Sequence, residues 1–280
     1  MDASDAMALL YLLRRADVEV TAIVVDGDGE ARCPKGATNA LSLAALAGKP
    51  DIPVGCGRPR PLKGAHAFPK VWRDFADNLW GLPRPARPAR PPAGSGERVF
   101  RAALQSAPGP VDVLTLGPPT ELAAVLLHGG AALSGKIRSV TMMGGAVGVP
   151  GNITWPPTIR NPHAEWNFYV DPTAANVVFR SGLPITLVPL DATNDVPLNA
   201  AVAARLGRSP NAGVRATTDH VVPAVVRILL LGSARGRRPR RTDHRPVRQQ
   251  AARRHRTRGP GEWPDCSGRR RREGPRHRVR

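Results

Sequence analysis

Residues 137–145 read Ile-Arg-Ser-Val-Thr-Met-Met-Gly-Gly. The run Ile137–Met143 ends in paired glycines, which is typical of a buried parallel strand whose carboxyl end a ligand approaches closely. Asp171 and Pro172 follow as the predicted cap and first residue of a helix. Because ligands of open α/β sheets bind beyond the carboxyl ends of the strands, the pattern predicts a ligand site directly after residue 143.

Amide and carboxylate side chains crowd the residues after the glycines. They are Asn152, Asn161, Glu165 and Asn167, with no cysteine or lysine among them. Such groups suit a polyhydroxylated ligand such as a sugar, whose hydroxyls both donate and accept hydrogen bonds. The alternative interpretation is a polar loop that satisfies its own backbone.

Helical and strand patterns alternate along the rest of the chain. The predicted helices cover residues 6–15, 39–47 and 121–127, and the predicted strands cover residues 18–25, 111–116 and 184–190, with another beginning at residue 51. This alternation predicts an α/β fold with an open, mostly parallel sheet and helices on both faces. The region between residues 57 and 111, rich in proline and arginine, is interpreted as a mobile flap or as a disordered loop.

Five motifs occur in a fixed order. They are Met-Gly-Gly at 143–145, Gly-Asn at 151–152, Ala-Glu-Trp-Asn at 164–167, Asp-Pro-Thr-Ala-Ala at 171–175 and Leu-Asp-Ala-Thr at 190–193. Together they resemble the nucleoside hydrolase family, inosine-uridine preferring type, with a looser match over residues 5–198. The resemblance implies a Rossmann-like fold, a homo-oligomer, and hydrolysis of ribonucleosides to free base and ribose by a calcium-bound water, in purine and pyrimidine salvage. It leaves the base preference open.

The resemblance also implies residues that bind the ribose. Met143, Glu165 and Asn167 match the family motifs, and Asp28 falls where the family usually has an asparagine. An insertion at residues 153–160 leaves open whether Asn152 or Asn161 is the sugar ligand.

Two metal ligands are implied in the same way. Asp5 matches a metal-binding aspartate, and Thr120 of the Gly-Pro-Pro-Thr loop matches the threonine that offers its carbonyl to calcium. Either residue could instead be a helix cap. The family's first strand, with its Asp-x-Asp motif and general base, would lie before Met1, so one strand and the catalytic base are expected to be missing. We therefore expect weak calcium binding and impaired activity.

Most of the positive charge lies near the carboxyl end. Of the formal net charge of +19, residues 231–280 hold +14, from 18 arginines and four acidic residues. We therefore predict an incomplete nucleoside hydrolase-like domain in residues 1–230 and an arginine-rich, disordered tail in residues 231–280. The tail favours an alternative function as a basic nucleic-acid-binding protein. If the chain is a hydrolase, nucleic acid is expected to bind only non-specifically, through the tail.

A shifted reading frame is another explanation of the tail. Leu231 to Asp243 can be recoded in one alternative frame to begin Trp-Asp-Pro-Leu, which resembles the last metal-binding motif of the family. Glu262 to Cys266 can be recoded in the same frame as Ser-Gly-Arg-Thr-Val, which resembles the family's final strand. We therefore expect a frameshift near residues 224–231.

Cysteine usage and the amino terminus indicate the compartment. The three cysteines, Cys33, Cys56 and Cys266, have no metal-ligand spacing and form no even set for disulfides. The first residues are acidic where a signal peptide would be basic, and no apolar run reaches membrane-spanning length. These features predict a soluble protein of the cytoplasm.

Overall fold

A computed structural model describes residues 3–81, 88, 90–159 and 161–196, together with residues 201, 204, 205 and 208. The proposed domain boundary at residue 230, the arginine-rich tail and the frameshift region all lie outside these residues. The helices are α1 Ala3–Arg14, α2 Lys35–Leu46, α3 Lys70–Asp77, α4 Gly96–Ser106, α5 Thr120–Ser134, α6 Trp166–Val170, α7 Pro172–Phe179 and α8 Leu190–Thr193. The strands are β1 Ile23–Val25, β2 Val54–Cys56, β3 Gly94–Ser95, β4 Val111–Thr115, β5 Ile137–Met143 and β6 Ile185–Val188.

The described strands form two sheets, and every pair among them is parallel. The first sheet has the order β1-β2-β3, and the second has the order β4-β5-β6. The predicted α/β fold with open parallel strands is therefore confirmed. The described strands nevertheless divide into two three-stranded sheets, since no backbone pairing is found between β1 and β4 among them.

β1 is shorter than the predicted strand at residues 18–25, because its pairing with β2 begins only at Ile23 and Val54. The amide of Ile23 donates to the carbonyl of Pro53 at 3.0 Å. Proline has no N–H to return a bond, so Pro53 limits the pairing before this point.

Helices cover both faces of the first sheet. Val54 packs with apolar residues of α1 and α2 in one core cluster. The next residue, Gly55, points to the opposite face, where a side chain would lie 2.9 Å from Cβ of Val99 in α4. A glycine is needed here because α4 packs directly on the β2 backbone.

The second sheet carries the larger core. Its fully buried apolar residues come mostly from β5, α5 and α7, and they include Val140, Met142, Val125 and Val178. Burying each such side chain contributes about 1.5–3 kcal/mol to folding. This core fixes the carboxyl end of β5, where the site begins.

The region between β2 and β4 is largely regular in its described part. It contains α3, β3 and α4, so the prediction of a plain disordered loop is wrong for these residues. α3 is held against the connection after β1, because Arg32 pairs with Asp77 at 2.7 Å and Arg73 donates to the carbonyl of Gly27.

Candidate active site

Polar residues that follow β1 and β4 meet beyond the carboxyl ends of these strands. Asp26 and Asp28 follow β1, while Thr120 and Glu121 begin α5 after β4. The Thr120 hydroxyl lies 2.7 Å from Oδ2 of Asp28, and the Glu121 amide donates to Asp26 at 3.4 Å. We call these four residues, together with Asp171, the strand-end cluster.

Thr120 lies between two buried carboxyl groups. Its hydroxyl oxygen is 2.7 Å from Asp28 and 3.0 Å from Oδ2 of Asp171. Asp171 also accepts backbone hydrogen bonds from Leu62 at 2.7 Å and from Ala174 at 2.8 Å. A hydroxyl has one hydrogen, so Thr120 donates to only one carboxyl group, and a full chain of hydrogen bonds needs a proton on the other.

Asp28 has the features expected of the protonated partner. Its pKa is raised to about 6, mainly by burial; the Thr120 hydrogen bond opposes the rise, and the charges of Asp171 and Glu121 add to it. Its Oδ1 atom is buried and has no hydrogen-bond partner among the described residues. An unpaired buried acceptor costs about 1–3 kcal/mol, so a bound donor at Oδ1 would be stabilising.

Asp26 and Glu121 are members of the cluster that the sequence interpretation missed. Asp26 keeps some exposed surface as a residue, but its carboxyl group is enclosed. Burial raises the pKa of Asp26 well above its ordinary value, and the charges of Asp28 and Glu121 add to the rise. Glu121 is held by Arg58, whose amide and Nε lie 2.7 Å and 3.3 Å from Oε1. The available signal was position, since Asp26 lies two residues before Asp28 and Glu121 directly follows Thr120.

Glu165 caps α6 and holds the glycine turn after β5. Oε1 accepts the amide hydrogen of Asn167 at 2.9 Å, while Oε2 accepts those of Gly145 at 2.9 Å and Phe168 at 3.3 Å. Burial raises the pKa of Glu165, and these three bonds oppose the rise. An ionised carboxylate has about four acceptor positions, so one remains for a ligand hydroxyl.

Asn167 joins the ends of β4 and β5. Its Nδ2 donates to the carbonyl of Leu116 at 3.0 Å and to that of Met143 at 3.2 Å. Both hydrogens of the amide are therefore used within the protein. The side chain holds Met143 in place from a position that is 7% exposed.

The glycine pair lets the chain cross the Phe168 ring. A side chain at Gly145 would lie 2.9 Å from Cε2 of Phe168, and the φ of +77° at Gly145 also favours glycine. Asp191 holds the same turn from the other side, accepting the amides of Val147 at 2.9 Å and Gly148 at 2.6 Å. These backbone bonds lower the pKa of Asp191.

The two candidate asparagines have different surroundings. Oδ1 of Asn152 accepts the amide hydrogen of Trp166 at 3.1 Å, so its side chain lies beside the first turn of α6. Oδ1 of Asn161 accepts the amides of His163 at 3.2 Å and Ala164 at 3.0 Å, which is a local turn.

The metal ligands Asp5 and Thr120, the latter through its carbonyl, remain a prediction. Asp5 lies in the first turn of α1 and not at its N-cap. The helix dipole favours an acidic residue in this first turn. The Thr120 side chain is fully buried and bonded to two carboxyl groups. No three histidine, cysteine, aspartate or glutamate residues among those described are grouped to hold a metal ion. Asp5 and the Thr120 carbonyl are two oxygen ligands where calcium takes about six to eight, so these two alone do not complete a calcium site.

A family model described as inosine-uridine preferring nucleoside hydrolase matches residues 1–236. The chain belongs to this nucleoside hydrolase family. The resemblance inferred from the five motifs is thereby confirmed. None of the described helices of this nucleoside hydrolase chain is long and apolar enough to cross a membrane.

Individual relatives agree with the family. The pyrimidine-specific ribonucleoside hydrolase RihA of Salmonella agona is 36% identical over 203 residues, which are 70% of this chain and 60% of the relative. The chain thus spans about 60% of the length of the curated relatives it matches.

Solved structures show the same fold. A plant nucleoside hydrolase has a TM-score of 0.66 and 29% identity, covering 80% of this chain and 68% of its own. A purine-preferring ribonucleoside hydrolase from Gardnerella vaginalis has a TM-score of 0.66 and 22% identity, covering 82% and 72% respectively. The latter likeness concerns the fold alone.

Proposed function

We propose that this chain acts on ribonucleosides and hydrolyses the N-glycosidic bond to give free base and ribose. The observation that carries this proposal is the strand-end cluster, where Asp28 has a buried oxygen with no partner among the described residues. A sugar hydroxyl is a neutral donor that would give this oxygen a hydrogen-bond partner. Family membership supports the same reaction.

The contacts of the site support the following ribose-binding roles. Oδ1 of Asp28 accepts a ribose hydroxyl, and the remaining acceptor position of Glu165 takes a second one. Asn152 is the sugar ligand of the two candidate asparagines, because its side chain lies at the start of α6 while Asn161 makes a local turn. Asn167 acts mainly by holding Met143 at the end of β5. The base preference is open.

The electrostatics of the cluster suit the bond that breaks. Cleavage of a glycosidic bond passes through a sugar with oxocarbenium character, which is positively charged. Asp28, which carries a negative charge above about pH 6, and Glu121 are buried carboxyl groups, 2% and 3% exposed, next to the proposed ribose position. Negative charge in a water-poor site stabilises such a cation more than it would in bulk water.

Calcium is the family's implied metal and supplies an activated water when bound. It takes about six to eight oxygen ligands, whereas the sequence supplies Asp5 and the Thr120 carbonyl. We therefore propose that the 280-residue chain binds calcium weakly and hydrolyses nucleosides slowly. Calorimetric titration with calcium alone checks the first statement, and tight binding would contradict it.

The activity test compares ribose release from inosine, uridine and cytidine by the native chain and two variants. Glu165→Ala and Asp28→Ala are expected to lower the rate by at least about tenfold each, since each removes a ribose hydrogen bond worth about 1.5 kcal/mol. Asp51→Ala is the matched control, because the Asp51 side chain is 93% exposed. Equal rates in all four proteins would contradict the assignment.

A non-enzymatic function is the second candidate, favoured by the 18 arginines of residues 231–280. Binding through this tail would weaken steeply with salt, because neutralising phosphates releases counterions. Removing residues 231–280 separates the two functions. Nucleic-acid binding that disappears with the tail, with no ribose release from either chain, would favour the binding protein.

The remaining properties follow from this function. A cytoplasmic location is proposed because Cys33 and Cys56 are both free, as in a reducing compartment. Free base and ribose are products suited to salvage. A homo-oligomer is proposed on family resemblance, and light scattering of the purified chain tests it.

A further inference from the structure

Two cysteine thiols meet beside the carboxyl end of the first sheet. Cys56 is the last residue of β2 and the register partner of Val25 in β1. Cys33 lies in the connection between β1 and α2, and its thiol is 3.4 Å from the carbonyl oxygen of Val25. Both cysteine side chains pack against the same core cluster, which Val25 and Val54 help to form. The fold therefore brings together two thiols from separate elements.

Both thiols are within reach of small molecules. Each cysteine is free and only partly buried, at the edge of the core cluster formed by α1, α2, β1 and β2. Neither side chain has a role in the proposed nucleoside hydrolysis. Small oxidants such as peroxides react with accessible thiols, and a second thiol in contact resolves the product as a disulfide.

We infer that Cys33 and Cys56 form a redox-reactive dithiol site that a peroxide converts to an intramolecular disulfide. The inference goes beyond the proposed function and does not depend on it. A disulfide requires sulfur atoms that can approach to about 2.05 Å. The Cys33 thiol lies against the Val25 carbonyl, and Cys56 is the register partner of Val25 on the neighbouring strand, so the fold places both residues beside the same backbone position.

The oxidation proceeds in two steps. The sulfur of Cys56 attacks one oxygen of hydrogen peroxide, the O–O bond breaks, and Cys56 sulfenic acid and one water form. The sulfur of Cys33 then attacks the Cys56 sulfur, the S–O bond breaks, and the hydroxyl leaves with the Cys33 proton as a second water. The dithiol loses two electrons and two protons, which reduce the peroxide to water.

The order of the steps follows from the surroundings of Cys33. Burial raises the pKa of the Cys33 thiol, and the neighbouring Cys56 raises the pKa further. A thiol that keeps its proton is a poor first nucleophile toward peroxide. Cys33 therefore acts second, when the adjacent Cys56 has become an electrophile.

The disulfide would form next to the strand-end cluster. The carbonyl of Val25 accepts the amide hydrogen of Gly57 at 2.8 Å as well as the thiol hydrogen of Cys33. Arg58, two residues after Cys56, holds Glu121. Oxidation removes one donor from Val25 and links the connection after β1 to the end of β2.

The test uses the full chain carrying Cys266→Ser, so that only Cys33 and Cys56 remain of the three cysteines. The reduced protein is treated with hydrogen peroxide, and intact mass and free thiols are measured. The expected result is the loss of two hydrogen atoms and of both titratable thiols, with both changes reversed by dithiothreitol. After proteolytic digestion, two peptides joined by a disulfide, one containing residue 33 and the other residue 56, locate the bond.

Matched variants identify the partners. Cys33→Ser and Cys56→Ser in the same background are each expected to lack the mass loss, and Cys33→Ser should accumulate the sulfenic acid of Cys56. Protein unfolded in urea is expected to form the disulfide more slowly, because the fold no longer holds the thiols together. The mass of the oxidised Cys266→Ser protein is measured with Cys33 and Cys56 both in place, so this result does not depend on how well the Cys33→Ser and Cys56→Ser variants fold. Unchanged thiols, oxidation of one cysteine to sulfinic acid, or a linked dimer would each overturn the inference.

Discussion

The hydroxyl oxygen of Thr120 lies 2.7 Å from Oδ2 of Asp28, and this contact joins α5 to the loop after β1. Since the described strands β1 and β4 are not paired, side chains rather than backbone bonds connect the two sheets at this edge. The same contact encloses Asp28 and leaves its other oxygen without a partner among the described residues. Asp28, which is available to bind a ligand, therefore also lowers the stability of the folded chain.

The first prediction concerns the pH dependence caused by Asp28. Its pKa is raised from the ordinary value of 3.8 to about 6 in the folded chain. Between these values the unfolded chain has lost the proton while the folded chain keeps it, so stability falls as pH rises. The loss is complete above about pH 6 and amounts to on the order of 3 kcal/mol.

Asp28→Asn removes this loss, because an amide stays neutral and can donate to Thr120, whose hydrogen then goes to Asp171. The variant is expected to be more stable than the native chain at pH 7, by an amount that shrinks toward pH 4. Urea unfolding at several pH values measures the difference. The control is Asp51→Asn, a substitution at an exposed side chain. A pH-independent effect of Asp28→Asn would contradict the assignment.

The second prediction concerns Glu165 as a backbone cap. Glu165→Ala leaves the amides of Gly145, Asn167 and Phe168 without their acceptor. Loss of a cap and of buried hydrogen bonds is expected to lower the free energy of unfolding by about 2–4 kcal/mol.

Glu165→Gln keeps one acceptor oxygen, so its loss should be smaller. Chemical unfolding compares both variants with Glu19→Ala, in which the changed glutamate is exposed. If Glu165→Ala were as stable as the native chain, the capping role would be disproved. A loss of activity in Glu165→Gln without loss of stability would identify direct contact with the ribose.

Local signals explain which elements the sequence predicted well. The predicted strand at residues 137–143 has the same bounds as β5, and Asp171 caps α7 with Pro172 at its first position, as expected. Both depend on neighbouring residues alone: an apolar run ended by glycines, and an acid followed by proline. β1 is different, because its length is set by Pro53 on the neighbouring strand, which no pattern within residues 18–25 reveals.

The site was predicted in part for the same reason. Glu165 and Asn167 were located by their motif, but their contacts run to the backbone of Gly145, Leu116 and Met143, which only the folded chain brings near. Asp26 was missed because its importance comes from Asp28 and Glu121 next to it in space. Burial and repulsion between acids are properties of the assembled site, and composition alone does not indicate them.

The third prediction has the opposite pH dependence and concerns Asp191. Backbone amides of Val147 and Gly148 lower its pKa, so its contribution to stability is present above the ordinary pKa and is lost as pH falls through the lowered value. Asp191→Ala is expected to speed hydrogen exchange at these two amides equally at pH 5 and pH 7, since Asp191 is ionised at both.

Asp195→Ala is the control for this experiment, because Asp195 is exposed and only four residues away. Amide exchange followed by NMR distinguishes the variants. Unchanged exchange at residues 147 and 148 in Asp191→Ala would show that another group holds the turn. A difference that grows between pH 5 and pH 7 would contradict the lowered pKa.

The last prediction concerns the codons of residues 231–233, which lie outside the described residues. If a frameshift produced the arginine-rich tail, Leu231 ends in TG and Gly232 begins with G, so the shifted frame reads TGG for tryptophan. The next shifted codon specifies aspartate only if Gly232 is GGA and Ser233 is a TCN codon. Glycine has four codons, so the nucleotide sequence tests the proposal directly. GGC, GGG or GGT at Gly232 would remove the aspartate and the frameshift explanation together.

With GGA, the chain with its frame restored gains a carboxylate where the family binds metal. It is then expected to bind calcium more tightly than the 280-residue chain in a calorimetric titration, because affinity rises with the number and charge of oxygen ligands.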